Sequence, residues 1–352
     1  MLIGAYADRA GRKPAMLLTI ALITLGTAGL ALTPSYASIG IAAPIFVVFC
    51  RLVQGLALGG EVGPSTAYLI EIAPQGQRGF YSSWQLASQG MSAMAAGLIG
   101  YVLSSSLTLP ELTSWGWRVP FVLCIVLIPI AIYLRSAMPE TLHGAGAEHV
   151  KAADVSLRGH SKVILLAILV ILGGTISTYI SIYMTTYALT QLKLPPTMAL
   201  LTAFISGTAT MVFALAGGWL SDKYGRRPLM IWPRVALVFV TVPLFTWLIA
   251  APSAATLYIT VSVIAALTAL NGAAAIAMIP ELLPRPIRAL GLSIAYAVGV
   301  AIFGGTTQFV VTWLIGYTGN PAAPAWYVVV TSIISLLAMF ALPESKDRVL
   351  ES

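Results

Sequence analysis

Apolar and polar positions alternate along this chain in long blocks, not in short periods. Ten apolar blocks are read, at about 14–33, 41–71, 80–106, 118–134, 163–187, 195–220, 229–250, 255–279, 289–316 and 325–342. A helix crosses a bilayer with about 20 apolar residues, so each block predicts one membrane-spanning helix. Continuous blocks of this length also exclude ordinary strands, which run about 4–8 residues. Lipid offers no hydrogen bonds, so the backbone must satisfy its own groups, and helices do so within each segment. The expected fold class is therefore all-α and polytopic in the membrane. The longest polar stretch, 140–162, carries His143, His149 and His160 and reads as a solvated linker.

Composition agrees with the pattern. Apolar residues make up 58% of the chain and charged residues only 9%, whereas a soluble domain carries about 25% charge. A net charge of +7 would suggest nucleic acid in a soluble protein; here its distribution decides. Assigning the loops alternately to two sides places Arg118 and Lys193 on one side. Arg51 and Arg234 fall within spans. The other 15 of the 19 basic residues lie together on the opposite side, which makes that side cytoplasmic. The expectation is a multi-pass protein of the cell (inner or plasma) membrane, with both termini cytoplasmic and no nucleic-acid partner. Cys50 and Cys124 both sit in apolar blocks and form neither a disulfide framework nor a metal spacing. No convergent set of nucleophile, base or metal ligands is seen, and no nucleotide-binding loop. The chain is read as neither an enzyme nor an ATP-driven pump, with no cofactor.

The charged interruptions repeat. Residues 4–13 and 218–227 both read G-x-x-x-D-x-x-G-R-[RK], with Asp8, Arg12 and Lys13 matched by Asp222, Arg226 and Arg227. Glu71, Pro74 and Arg78 are matched by Glu281, Pro284 and Arg288, and Pro139-Glu140-Thr141 more weakly by Pro343-Glu344-Ser345. Three pairs at nearly one period imply two homologous halves: an N-terminal bundle over 1–139, a linker over 140–162, a C-terminal six-helix bundle over 163–342 and a tail over 343–352. Four spans precede the linker and six follow it. The repeat therefore predicts two further helices before Met1.

Few polar residues remain inside the spans. Arg51, Gln54, Leu58 and Glu61 share one helical face by their spacings. Arg51 suits a carboxylate through its planar fork, or acts as a packing clamp. Glu61 suits a proton carrier, or belongs to a cytoplasmic ion-pair network; it lies about 15 Å along the helix from Arg51, too far to pair with it. Gly55, Gly59 and Gly63 form a small-residue stripe for close helix contact. The two hinges either set topology or latch one face shut. In the second reading Asp222 caps a neighbouring helix and Arg226 pairs with a carboxylate such as Glu71 or Glu281. Candidate pathway residues are Gln85 and Gln89 in the first half and Tyr179, Tyr183, Asn271, Tyr296 and Gln308 in the second. The alternatives are belt tyrosines and interhelical amides. Arg234 is read as snorkelling to the cytoplasmic face.

The doubled loop motif resembles that of the major facilitator superfamily. Arg51-Leu-Val-Gln54-Gly55, Gly59-Gly60-Glu61 and Trp115-Gly-Trp117-Arg118-Val-Pro120 are similar to its metabolite:proton symporter branch. Pro34-Ser-Tyr36, Gly79-Phe-Tyr-Ser-Ser-Trp84-Gln85, Ala295-Tyr296, Phe303-Gly304-Gly305 and Tyr317-Thr-Gly319 look most like citrate and other tricarboxylate:proton symporters. The resemblance implies a two-bundle fold with ten of twelve helices present. It implies proton-coupled symport of a small organic anion by alternating access, in a bilayer, by a single chain. Symport of a zwitterion such as proline or betaine, or a remnant that no longer transports, stays open.

Overall fold

The computed structural model describes residues 12–137 and 157–346. Asp8, and the side chains of Arg12, Lys13, Glu61, Glu71 and Arg288, lie outside the described residues. In chain order the helices are α1 (Arg12–Leu32), α2 (Tyr36–Ile39), α3 (Ala42–Ile72), α4 (Arg78–Ser106), α5 (Leu109–Ser114), α6 (Val119–Ala137), α7 (Ser161–Thr190), α8 (Pro196–Tyr224), α9 (Arg226–Ala250), α10 (Ala254–Glu281), α11 (Arg285–Ala297), α12 (Gly305–Thr318) and α13 (Ala323–Ala341). A π-helical segment, Val298–Gly304, joins α11 to α12 within one span. Among the described residues eight helices are long and apolar enough to cross a membrane; the shorter apolar runs Leu17–Leu32 and Ala42–Ala57 complete the ten predicted blocks.

The breaks are where backbone chemistry puts them. Gly40, Gly225 and Gly319 at helix ends, and Gly76 in the turn before α4, adopt positive φ, a conformation glycine reaches without strain. Thr108 and Glu111 form a capping box that starts α5, the Thr108 amide donating to the Glu111 carboxylate at 2.9 Å.

The described residues fall into two compact units, Met1–Ser65 with Ser106–Asp154, and Thr66–Ser105 with Val155–Ser352. In the first, α1 packs on α6. Arg118, just before α6, donates to the carbonyls of Ala31 (3.1 Å) and Thr33 (2.8 Å) at the end of α1. The Gln54 amide of α3 donates to Thr27 of α1 at 2.9 Å. Among the described residues Gly55 has no neighbour from another helix within 4 Å of its Cβ position; the side-chain positions of Gly59 and Gly63 lie outside the described residues.

The second unit contains α4, which sequence order puts in the first half. The reason is a glycine-lined contact with α8: a Cβ on Gly90 would stand 2.7 Å from the Gly207 carbonyl oxygen, and one on Gly218 would stand 2.5 Å from that of Gly79. Without side chains the two backbones meet directly, as small residues allow in lipid. Helix α10 is the most enclosed span. Its Ala-rich centre admits α8, where a Cβ on Gly217 would meet the Leu270 Cα at 2.9 Å. The apolar core lies among α7, α9, α10 and α13, with Ile176, Ile180, Leu237, Phe245, Ile264 and Val328 buried.

Candidate functional site

Two polar constellations stand out in the second unit. The first lies on a half-buried face of α7. Inward from that face Gly173, Ile176, Ser177 and Ile180 are buried, whereas Gly174, Thr175 and Tyr179 are half-buried and Thr178 is exposed. The Tyr179 ring lies against Gly304 at the end of the π segment, 2.7 Å from where a Cβ would stand, so only glycine fits there. Tyr296, half-buried on α11, hydrogen-bonds Gln89 of α4. Tyr179, Tyr296 and Gln89 thus come together from three helices. A π segment in a membrane span is a frequent mark of function, and here it carries the glycine that admits the tyrosine.

The remaining predicted residues are placed differently. Gln85 is half-buried one turn before Gln89, and Gln308 is exposed on α12. Tyr183 is 4% exposed and packs against Tyr187 in the apolar core, its ring centroid 6.3 Å away. Asn271 is buried on α10, with its carbonyl accepting from Arg234 at 2.6 Å and its amide donating to the Met230 carbonyl. Packing encloses both of these side chains, which the sequence assigned to the pathway. In the first unit Arg51 is exposed, donating to Gln54 at 3.2 Å. Arg234, read from the sequence as snorkelling, is corrected outright: it is 1% exposed and turned into the bundle.

The second constellation is the charged end formed by residues 218–227. Asp222 accepts hydrogen bonds from the Gly79 and Phe80 amides, both at 2.8 Å, and so caps the N-terminus of α4. Such amides lack intrahelical partners, and a carboxylate there also meets the positive end of the helix dipole. Arg226, 1% exposed, donates to Asp222 at 2.6 Å, to Ser221 at 2.8 Å and to Glu281 at 3.0 Å. Each motif position therefore has a physical task. Gly218 lets α4 approach, Asp222 caps it, Gly225 makes the positive-φ turn and Arg226 joins Asp222 to Glu281. Arg227 donates to the Phe340 carbonyl at 2.8 Å. Arg78 is the first residue of α4. The first copy of the motif lies outside the described residues.

Sequence reasoning undervalued Glu344. Its carboxylate accepts from the backbone amides of Arg226 and Arg227, each at 2.9 Å, and from those of Ser345 and Lys346. Burial alone would raise its pKa; the four amides, those of Arg227 and Arg226 foremost, outweigh it and hold the group below the usual carboxylate value. Ser345 donates to Glu281 at 2.6 Å. The weak third repeat, Pro343-Glu344-Ser345, was the available signal. It sits where the chain meets the start of α9.

Among the described residues no group of three or more His, Cys, Asp or Glu side chains is placed to hold a metal. The geometry offers hydrogen bonds and charges that can be exchanged between helices.

The Major Facilitator Superfamily model matches residues 1–250, and the Sugar (and other) transporter model matches residues 150–352. A citrate-proton symporter of Salmonella typhi is 33% identical over 342 residues, covering 96% of this chain and 79% of the relative. A proline/betaine transporter of Escherichia coli K12 is 27% identical over 372 residues, covering 100% of this chain and 73% of the relative. Among solved structures, a double-tryptophan mutant of XylE aligns with a TM-score of 0.82 at 18% identity, over 99% of this chain and 84% of that one. With its spans, its twofold loop motif and these matches, the chain belongs to the major facilitator superfamily of membrane transporters.

Proposed function

We propose that this chain is a proton-coupled symporter of a small organic acid, citrate or a related di- or tricarboxylate, working by alternating access. The observation that carries the reading is the 33% identity, spread over 96% of the chain, to a citrate-proton symporter. Arg51 supports it, as an exposed guanidinium inside a membrane span, because such a charge faces water or protein and not lipid. In this reading Arg51 and Gln54 are substrate contacts within the first unit, and Gln85, Gln89, Tyr179, Tyr296 and Gln308 are taken by themselves as pathway residues of the second. Glu61 carries the proton. The charged end faces the cytoplasm. Asp222, Arg226 and Glu281 hold that end shut, and opening requires Asp222 to leave the α4 amides.

The test is uptake of labelled citrate, and of a panel of other carboxylates, into proteoliposomes under an imposed pH gradient. Gradient-dependent citrate uptake is expected; absence of such uptake for every carboxylate overturns the proposal. A second reading, symport of a zwitterion, is favoured by the proline/betaine relative. It predicts that proline or betaine is the better substrate in the same assay.

A further inference from the structure

Arg234 plays no part in the cycle above. It lies on α9 eight residues after Arg226, about 12 Å along the helix, and is 1% exposed. Its Nη1 donates to the Gly173 carbonyl (3.0 Å), to Ser177 Oγ (3.1 Å) and to Ser332 Oγ (3.5 Å). Its Nη2 donates to Asn271 Oδ1 at 2.6 Å. Every one of these acceptors is neutral. The Nε has no partner, and Nη2 carries a second hydrogen with no acceptor among the described residues. A buried charge without a counter-charge is costly and is normally paired. Inside a membrane span such a group marks function by default.

The guanidinium is buried, yet close to an accessible surface. Gly174 is half-buried on the α7 face that carries Thr175, Thr178 and Tyr179. A Cβ at Gly174 would stand 3.5 Å from Arg234 Nη2, and apart from the backbone of α7 itself no other atom of the described residues lies within 4 Å of that point. Gly174 thus puts no side chain between this face of α7 and the buried Nη2. An oxygen entering there meets the spare N–H, with the exposed Thr178 hydroxyl next to it; that hydroxyl donates to the Gly174 carbonyl at 3.0 Å. The same strip leads to the Tyr179, Tyr296 and Gln89 cluster.

We propose that Arg234, reached through the position left open by Gly174, is a carboxylate subsite of the second unit, taking one carboxylate oxygen by a single charge-assisted hydrogen bond. The identity of its ligand rests on the proposed symport function. Asn271 and Ser177 are positioning residues that hold the guanidinium.

The experiment measures binding of citrate and of glycine betaine to the purified protein by titration calorimetry, for the wild type, Gly174→Ala, Gly174→Val and Arg234→Gln. A lost charge-assisted hydrogen bond weakens binding about tenfold or more. That loss is expected for Gly174→Val and Arg234→Gln, with a smaller one for Gly174→Ala. Gly174→Ala should melt no lower than the wild type, because the added Cβ makes only an ordinary contact and alanine suits a helix better than glycine. In uptake, Gly174→Val should raise KM and leave the maximal rate, whereas a purely structural defect lowers the rate. Should Arg234→Gln fail to fold, Gly174→Val decides alone. Wild-type affinity in Gly174→Val overturns the subsite. If the wild type binds betaine and not citrate, the citrate reading falls and the subsite is judged on the betaine carboxylate with the same variants. Binding of neither overturns both.

Discussion

Replacing Asp222 by Asn tests the charged end most directly. The side chain keeps its shape but loses its charge, and one of its two acceptor oxygens becomes a donor. Oδ1 accepts from both the Gly79 amide (2.8 Å) and Arg226 (2.6 Å), and Oδ2 from the Phe80 amide (2.8 Å), so the new NH2 group, in place of either oxygen, faces at least one donor that it cannot accept from. A charge-assisted hydrogen bond contributes about 1.5–3 kcal/mol, and a carboxylate at a helix N-terminus about 0.3–1 kcal/mol. Arg226 retains Glu281 and Ser221, so the ~3–5 kcal/mol for orphaning a buried charge is an upper limit. We take about 2–3 kcal/mol. At ~1.36 kcal/mol per factor of ten, the α4–α8 contact should open about 30- to 150-fold more often. Hydrogen exchange of the Gly79 and Phe80 amides in lipid nanodiscs reads this opening. Both amides should exchange faster in Asp222→Asn by about that factor, while amides in the middle of α10 should not change. Wild-type exchange at Gly79 and Phe80 would refute the assignment of Asp222 as a cap that holds α4 to α8.

Three further outcomes are expected. Glu344→Gln removes a carboxylate whose pKa is held below its ordinary 4.5. A depressed pKa stabilises the fold above the unfolded value and loses that contribution as pH falls through the folded one. The melting-temperature gap between wild type and Glu344→Gln should therefore persist at pH 5 and close only under stronger acid; a gap that closes near neutrality contradicts this. Gly218→Ala must displace Gly79 or Ser83, which stand 2.5–2.6 Å from the new Cβ. Overpacking of this kind costs about 1–3 kcal/mol, so the melting temperature should fall by several degrees, and an unchanged value would mean that the helices separate freely. Arg51→Ala should abolish citrate uptake with normal membrane insertion, because the exposed guanidinium is the proposed carboxylate ligand of the first unit; unimpaired uptake removes it from the site.

The chain by itself determined the number and nature of its spans, because the cost of exposing polar backbone to lipid leaves a continuous apolar block one outcome. It also determined the superfamily, through a doubled loop whose residues each have a local physical task. The Asp222 cap and the Arg226–Glu281 pair were legible because charges at the end of a span need partners and an apolar chain offers few: Asp222 four residues before Arg226, and Glu281 in the matching repeat 55 residues on. Only tertiary structure decided which polar residues inside the spans are accessible. Helical spacing puts Tyr179 and Tyr183 one turn apart, yet Tyr179 reaches the π segment while Tyr183 is closed into the core. That difference depends on which neighbour covers each side of α7, and a neighbour's position is a non-local quantity. Arg234 shows it most sharply. A long side chain near a span end can snorkel, but α7, α10 and α13 supply acceptors on the inner side of α9, and those acceptors turn the charge inward. The same holds for α4, which sequence order puts in one half, while its glycines and those of α8 set its packing with the other.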